Sequence, residues 1–486
     1  MARRWRVAAV AVMAAALLLV SHAALLTLPF YWDEVGQFVP ASLDLFHSGA
    51  LVPYSTVPNV HPPGVMAYLA GVWRVFGYSI VATRVAMLCL AAAGVTLTYL
   101  ITRKLAPSDS TDEIPAVAAA GLLALSPLFF SQAMMAQLDM PAMVCFALAF
   151  WLFLEDRIAA CAVVCAVLVL VKETGIVAPM LFGAWMLKER RWRAALWFVL
   201  PLPGLAAWLL LLRHATGHLF GNAEFTDYNV FYPLHPVRLV LALVRRCYYA
   251  FVANGHVIGL LALVLTRRLP LWRTRGWRVA WIFVGLHVVL ISVLGGAVLE
   301  RYLLPVYPIV YAAFALAIWR LGQLRVIAFG VFAVLLVAGI FVNPPFPFPL
   351  ENNLAWTSFV KLEQQAAAFV EQRYPAETIA TSFPLASALR RPEYGFVRHG
   401  MRLYEISDFQ ADNVAALRGK AGVLVLYSAL WDPLGLMSNA RWTGFLSRYY
   451  GYAPQASPAD VERLLGARLV AQWSDGGQEM WCFQLR

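Results

Sequence analysis

The sequence predicts a helical membrane protein with many transmembrane segments, followed by a small α/β domain. Of its 486 residues, 61% are hydrophobic and 13% are charged, whereas a soluble domain carries about 25% charged residues. The mean hydropathy is +0.67. The chain also has 17 Trp and 19 Tyr, residues that are enriched where helices meet a membrane surface. These values exclude an ordinary soluble enzyme.

Apolar segments long enough to cross a bilayer recur along the first two thirds of the chain. A helix that spans the hydrocarbon core needs about 20 mostly apolar residues. We predict eleven spans, at residues 6–28, 83–102, 115–131, 139–154, 158–171, 174–187, 194–213, 247–266, 279–299, 302–319 and 326–342. The first resembles a signal peptide, but no small-residue cleavage site follows it, so we expect it to be retained.

The distribution of Lys and Arg predicts the orientation, because short cytoplasmic loops are enriched in both. With eleven spans and a cytoplasmic N-terminus, the cytoplasmic loops hold the whole formal excess of +11, and the outer loops sum to zero. The short spans 158–171 and 174–187 could instead form one tilted helix. That alternative would place the basic clusters KERRWR (188–193) and RRLPLWRTRGWR (267–278) outside. We therefore favour eleven crossings of the plasma or inner membrane.

The composition changes after the segment NPPFPFPLENN at 343–353. A proline-rich stretch cannot continue a helix and is typical of a stiff linker. We predict a transmembrane domain at 1–343, a linker at 344–355 and an extracytoplasmic α/β domain at 356–486, which we interpret as a lid or an acceptor-recognition module. Its predicted helices lie near 356–373, 439–450 and 458–466, and its strands near 378–383, 422–428, 467–474 and 479–485.

Unusual polar residues collect on the predicted outer side of the membrane. The first outer loop, 29–82, begins with PFYWDE, continues with NVHPPG at 59–64 and ends with a predicted interfacial helix from Val65 to Phe76. Ionisable groups at membrane depth are costly, so each is a functional candidate. We expect a shared polar cavity, and the candidates are Asp33, Glu34, His61, Asp139, Lys172, Glu173, Glu300, Arg301 and Tyr302.

Each candidate also has a structural interpretation. The acidic pair at 33–34 can be a solvated helix end, and His61 can be a helix cap or a surface residue. Asp139 can cap a helix N-terminus, where a carboxylate answers the free N–H groups. Arg301 can extend to the lipid headgroups. The pair at 172–173 is harder to explain in this way, because a short helical hairpin would place it below the membrane surface.

Taken together, these features resemble the polytopic glycosyltransferases of the GT-C class, closest to family 39, which includes protein O-mannosyltransferases and bacterial aminoarabinose transferases. The resemblance covers about residues 1–320. The matching segments are DE at 33–34, HPPGVMAYLAGVWRVFGYSIVATRVAML at 61–88, LDMPAMVCFALAFWLFL at 138–154, VKETG at 171–175 and ERYLLPVYP at 300–308.

The chain departs from the family pattern at two places in the first outer loop. Family members often have Lys where His61 precedes the two prolines. They also often have Tyr three residues after the Glu, where this chain has Gln37 followed by Phe38. A neutral imidazole is a weaker phosphate ligand than Lys, which leaves the role of His61 open.

The resemblance implies an inverting hexosyl- or pentosyltransferase that takes a sugar from a polyprenyl-phosphate donor in the membrane. The acceptor, a lipid, glycan or protein, is not identified by the sequence. The first-loop Asp is taken as the catalytic base in such enzymes, which carries over to Asp33, with Glu34 beside it. An acceptor proton needs a carboxylate within hydrogen-bond reach. Cations should stabilise the charge that grows on the leaving phosphate.

Our candidates for the phosphate ligands are Lys172, Arg301 and His61, and for supporting residues Asp139, Glu173, Glu300 and Tyr302. Some relatives use a divalent metal, which Asp33, Glu34 and Asp139 could hold.

Two other classes of function fit the composition. A transporter or flippase of a lipid-linked glycan would also be polytopic, but transporters tend to have internal repeats and broken helices at the midplane, and we find no repeat. A membrane-anchored cell-envelope assembly protein would act through its C-terminal domain. The positive net charge, confined to the predicted cytoplasmic loops, gives no support to nucleic-acid binding.

Overall fold

The structure is a computed structural model, and it describes residues 2–107, 112–342, 351–428, 432 and 434–485. The chain forms two compact units. The predicted linker at 344–355 lies largely outside the described residues. The first unit comprises Met1–Ala24, Ala41–Gly77 and Ala82–Ile340, and the second comprises Leu25–Pro40, Tyr78–Val81 and Phe341–Arg486.

Residues up to 342 are mainly helical. Three segments that begin at predicted candidate residues have tighter or wider turns than an α-helix. They are a π-helix at Glu34–Phe38 and 3₁₀-helices at Glu173–Ile176 and Glu300–Val306. The α-helices are α1 (Ala2–His22), α2 (Val39–Ser48), α3 (Gly64–Phe76), α4 (Ile80–Leu105), α5 (Ile114–Leu125), α6 (Pro127–Gln132), α7 (Asp139–Leu154), α8 (Ile158–Val171), α9 (Val177–Lys188), α10 (Trp192–Leu196), α11 (Pro201–Thr216), α12 (Ala223–Thr226), α13 (Pro236–Phe251), α14 (His256–Thr266), α15 (Arg275–Val293), α16 (Tyr307–Trp319) and α17 (Arg325–Phe341).

These helices form a multi-pass membrane fold. Within the described residues, six helical segments are long and apolar enough to cross a membrane, and the bent pair α13 and α14 would make a seventh. Helices α3, α5, α7 and α8 are apolar but shorter. Helix α16 is buried along almost its whole length, whereas α1 and α17 expose large apolar side chains such as Val20 and Val326. Each predicted span overlaps a helix, but the count of eleven crossings stays a prediction.

The eighth predicted span, at 247–266, is wrong as a single helix. Helices α13 and α14 are bent by 43° at the break between them. Asn254 and Gly255 have positive φ values of 53° and 85°, a conformation that suits glycine and asparagine and ends a helix. The apolar composition on both sides of the break concealed it.

Aromatic packing holds the centre of the first unit together. The rings of Phe146 on α7 and Phe283 on α15 stack with centroids 3.6 Å apart. The rings of Phe153 on α7 and Phe182 on α9 stack at 4.5 Å. Helix α7 is therefore fixed against two neighbours, which fixes the position of its first residue, Asp139.

The second unit contains a five-stranded mixed sheet with the order β2-β1-β3-β5-β4. Strand β1 pairs in parallel with β2 and β3, and β5 pairs antiparallel with β3 and β4. The predicted helices and four predicted strands are confirmed, and one edge strand was missed. The strands are β1 (Thr378–Ser382), β2 (Arg402–Ile406), β3 (Val423–Tyr427), β4 (Arg468–Asp475) and β5 (Gln478–Gln484), and the α-helices are α18 (Trp356–Arg373), α19 (Leu385–Ala388), α20 (Ala411–Ala415), α21 (Ala440–Tyr450) and α22 (Pro458–Leu465).

Candidate active site

Three predicted site residues of the first unit come together at the ends of helical segments. Asp139 is the first residue of α7, Lys172 directly follows α8, and Arg301 lies in the 3₁₀-helix that precedes α16. All three side chains are buried. Because a buried charge is costly unless it is paired, their positions depend on one another.

Asp139 bridges the two cations. The Lys172 ammonium donates a hydrogen bond of 2.5 Å to Asp139 Oδ1, and Arg301 Nε lies 3.1 Å from Asp139 Oδ2. Removing one partner of such a buried group leaves an uncompensated charge. Asp139 therefore holds both cations in place, in addition to standing at the N-terminus of α7.

Tyr302 provides an aromatic face for the same cations. The Lys172 Nζ atom lies 4.1 Å from the centre of the Tyr302 ring, and the guanidinium carbons of Arg246 and Arg301 lie 5.3 Å and 5.8 Å from it. Cations within about 6 Å of a ring centre are attracted by its negative face. The ring thus attracts three positively charged side chains and leaves their formal charges unchanged.

Two arginines of α13 enlarge the cluster. Arg246 is buried and donates hydrogen bonds to the carbonyl oxygens of Leu299 and Ile291. Its neighbour Arg245 forms an ion pair with the buried Glu300. The two carbonyl groups bind the terminal nitrogens of Arg246 but carry no charge that would neutralise the guanidinium.

His61 lies beside these charged residues because the start of α3 packs closely against the end of α8. Its Nδ1 atom lies 3.0 Å from Glu173 Oε2. A methyl group at Gly64, three residues later, would lie 2.4 Å from the carbonyl oxygen of Leu170 on α8. Only glycine allows the start of α3 to lie this close to the end of α8. The HPPG segment therefore places His61 beside the residue that follows Lys172.

The predicted candidates of the first unit thus form one ionic cluster, which we call the cationic cluster. It has an excess of positive charge, because its four Lys and Arg side chains face three carboxylates, one of which pairs with His61. Its members are His61, Asp139, Lys172, Glu173, Arg245, Arg246, Glu300, Arg301 and Tyr302.

A small pocket adjoins the cationic cluster. Lys172 and Tyr302 line it, and its other walls are mostly apolar, including Phe146, Leu168 and Phe283. His287 also lines it, and its Nε2 atom donates a hydrogen bond of 2.8 Å to the carbonyl oxygen of Tyr302. A charged head beside an apolar wall suits an amphiphilic ligand better than a fully polar one.

Asp33 and Glu34 belong to the second unit. Glu34 is fully buried, and its carboxylate accepts a hydrogen bond of 2.9 Å from the backbone N–H of Tyr31. Asp33 directly precedes the π-helix Glu34–Phe38 and is partly exposed. The two adjacent carboxylates therefore have different surroundings, and only Asp33 is accessible.

The surroundings of these carboxylates do not favour a metal site. No group of three or more His, Cys, Asp or Glu side chains suited to a metal ion occurs in the described part of the chain. Asp139 is held by two cations and Glu34 by a backbone N–H. We therefore assign no step to a metal.

Sequence reasoning missed Arg245, Arg246 and His287. The signal for the two arginines was present, since adjacent Arg residues in an apolar helix are costly and should have been counted as candidates. No local pattern distinguished His287, because its partner Tyr302 lies on another segment.

Two solved structures show the same fold as this chain. Both are of ArnT from Cupriavidus metallidurans. The form bound to undecaprenyl phosphate aligns with a TM-score of 0.59 and 15% identity over 97% of each chain. The apo form aligns with a TM-score of 0.56 and 15% identity over 99% of this chain and 98% of that chain. No protein-family model and no curated protein sequence matches the chain.

The predicted resemblance to the GT-C class is therefore confirmed at the level of the fold. The alignment extends over nearly the whole chain, and thus also over the C-terminal residues that the sequence resemblance did not cover.

Proposed function

We propose that this protein is a membrane glycosyltransferase that takes a sugar from a polyprenyl-phosphate-linked donor. The observation that carries the proposal is the cationic cluster, in which Lys172, Arg246 and Arg301 surround Tyr302 beside an apolar wall. A phosphate attached to an isoprenoid chain has the matching chemistry, an anion joined to an apolar tail. The shared fold with ArnT, which was captured with undecaprenyl phosphate, supports the same donor class.

The proposed reaction needs stabilisation of the leaving phosphate and removal of one proton. The acceptor hydroxyl attacks the anomeric carbon, and the bond between that carbon and the phosphate oxygen breaks. Lys172 and Arg301 stabilise the negative charge that develops on the phosphate. Arg offers a planar pair of donors for two phosphate oxygens. Asp33 takes the acceptor proton, a role that rests on the sequence resemblance and on its accessibility.

The test supplies membranes that contain the protein with a panel of polyprenyl-phosphate sugars and measures which sugar is consumed. We expect one donor to be consumed, and Asp33→Asn to lower transfer by about 100-fold or more. The matched control is Gly71→Ala, because an added methyl group there meets no atom within 4 Å. Consumption of no donor would contradict the proposed function. Full activity of a folded Asp33→Asn variant would contradict only the assignment of Asp33 as the base. The proposed function would then stand with a different base.

A further inference from the structure

The segment that carries Asp33 folds as part of the same unit as the C-terminal domain. Leu25–Pro40 groups with Phe341–Arg486, although residues 41–340 separate them in the chain. The backbone N–H of Phe30 donates to the carbonyl oxygen of Tyr394 at 3.2 Å. The Tyr78 hydroxyl, at the end of the same outer loop, donates to the carbonyl oxygen of Glu393 at 2.5 Å. Both ends of the first outer loop are thus tied to the C-terminal domain.

The turn before Asp33 has an unusual conformation. Trp32 has a φ of 50°, which non-glycine residues rarely adopt. The backbone N–H groups of Val35 and Gly36 both donate to the Trp32 carbonyl oxygen, at 3.0 Å and 3.1 Å. A conformation of this kind persists only where its surroundings enforce it, and such residues cluster at functional sites.

Aromatic side chains of the C-terminal domain enclose this turn. The Tyr31 ring lies 5.6 Å from the ring of Trp356 and 6.2 Å from that of Phe359, both on α18. The Trp32 ring meets Phe383 edge to face at 5.5 Å. Tyr31, Trp356 and Phe359 are almost completely buried. The residues on the N-terminal side of Asp33 are therefore fixed by contacts from two different elements.

Phe383 also fixes the residues on the other side of Asp33. A methyl group added at Gly36 would lie 2.5 Å from Phe383 Cε2 and 2.9 Å from Cζ. Cβ atoms are essentially never found this close to another heavy atom, so one of the two groups would have to move. Gly36 thus permits direct contact between the backbone of the π-helix and the Phe383 ring.

We infer that the C-terminal domain positions the catalytic base. Phe383 and α18 hold the turn Tyr31–Gly36 in one conformation, and this sets the direction of the Asp33 carboxylate. Phe383, Gly36 and Tyr31 are positioning residues, and they act through Asp33. The inference rests on the proposed function, and it replaces a lid or acceptor-recognition role for the domain by a role in orientation.

The experiment compares Gly36→Ala, Phe383→Leu and the double variant in the full-length protein. Leucine is shorter than phenylalanine and leaves room for the added methyl group. We expect Gly36→Ala to lower kcat by about tenfold, since small displacements of a catalytic group have effects of this order. Phe383→Leu should lower it by about threefold, and the double variant should return to the level of Phe383→Leu, because both changes act on one contact. The KM for donor and acceptor should change by less than about twofold, because no substrate contact is altered.

Hydrogen exchange of residues 29–38 gives a readout that does not depend on activity. We expect faster exchange in Gly36→Ala and in Phe383→Leu, and wild-type exchange in the control Gly71→Ala. Additive losses of kcat in the double variant, or unchanged exchange in both single variants, would overturn the inference. A raised acceptor KM at constant kcat would overturn it in favour of acceptor recognition.

If the wild-type protein transfers no sugar while the exchange results are as expected, the proposed function is contradicted. The contact between Phe383 and the turn Tyr31–Gly36 is then still supported. If a single variant does not fold, the exchange and kinetics of the other one decide the question.

Discussion

At the scale of single residues, the adjacent carboxylates of Asp33 and Glu34 have different surroundings. Glu34 is fully buried against the Tyr31 N–H, whereas Asp33 is partly exposed. A base must reach the acceptor proton, and a buried carboxylate that already accepts a hydrogen bond from the backbone is poorly placed to do so. Asp33 and Glu34 could not be distinguished from the sequence, because adjacency alone does not reveal which side chain points into the protein.

The first prediction tests whether Glu34 takes a direct part in the proposed reaction. Glu34→Gln keeps a side-chain oxygen that can accept from Tyr31 N–H, so we expect transfer activity within about threefold of wild type. Glu34→Ala leaves that buried N–H without its acceptor, which destabilises the turn by about 1–3 kcal/mol, and we expect a clear loss of kcat. The measurement is steady-state transfer by purified protein. Loss of activity in Glu34→Gln as complete as in Asp33→Asn would show that Glu34 has a direct role in catalysis.

The second prediction concerns the pair of Lys172 and Asp139. Lys172→Gln leaves Asp139 with one fewer cation in a buried position, so we expect the free energy of unfolding to fall by about 3 kcal/mol. Adding Asp139→Asn removes the uncompensated charge and should recover most of the loss. Transfer should stay lost in both variants, because both lack Lys172, the proposed phosphate ligand.

The control for this pair is Lys104→Gln. Lys104 forms a more exposed ion pair with Glu155, at 3.3 Å, and exposed pairs contribute about 1 kcal/mol or less. Thermal unfolding in detergent gives the stability and donor consumption gives the activity. Recovered transfer in the double variant of Lys172 and Asp139 would mean that the pair has only a structural role.

At the scale of elements, α18 contains an unusual buried acid. Glu363 is almost completely buried, and its Oε1 atom has no hydrogen-bond partner among the described residues. Burial raises the pKa of Glu363 well above its usual value. Tyr31, Tyr427 and Glu351 are other titratable groups of this unit, and Tyr31 and Tyr427 both interact electrostatically with Glu363. A buried acid with a raised pKa therefore lies in the helix that contacts Tyr31.

The third prediction follows from the direction of this shift. An unfolded Glu has a pKa of about 4.3, whereas the pKa of folded Glu363 is higher. Its contribution to stability is present below the unfolded pKa and is lost as the pH rises through the folded pKa. Glu363→Gln should therefore stabilise the protein more at pH 8 than at pH 5, as measured by thermal unfolding. The exposed Glu462→Gln is the control, and equal pH slopes for wild type and Glu363→Gln would contradict the assignment.

The elements of this fold were predictable to different degrees. Strand β3 is a continuous apolar run with a buried side chain at every position, and its composition alone identified it. Strand β2 was missed, because it lies at the edge of the sheet and all its residues except the last, Ile406, are exposed or half-buried, so it has no continuous apolar run. Among the described strands it pairs with β1 alone, and that pairing is not local in sequence.

At the scale of the whole molecule, local patterns identified many site residues but not their partners. The segments around Lys172 and Arg301 stood out, because charge interrupts apolar runs there. That Asp139 joins them, and that Arg246 shares the Tyr302 ring, depends on contacts between residues far apart in the chain. The grouping of Leu25–Pro40 with the C-terminal residues was likewise invisible, since no periodicity encodes a contact over such a separation.

The last prediction concerns orientation in the membrane. The segment 267–278, which comprises the loop after α14 and the first turn of α15, carries five Arg residues and no acid, and the positive-inside rule places such a segment in the cytoplasm. With eleven crossings the C-terminal domain lies on the opposite side. In intact cells a membrane-impermeant maleimide should label Glu462→Cys and spare Arg268→Cys, and both should react once the membrane is opened. The wild-type chain gives the background, since Cys89 and Cys247 are exposed. Labelling of both positions in intact cells at equal rates would place them on the same side of the membrane. The chain would then cross the membrane an even number of times between residues 268 and 462, and the predicted odd number would be wrong.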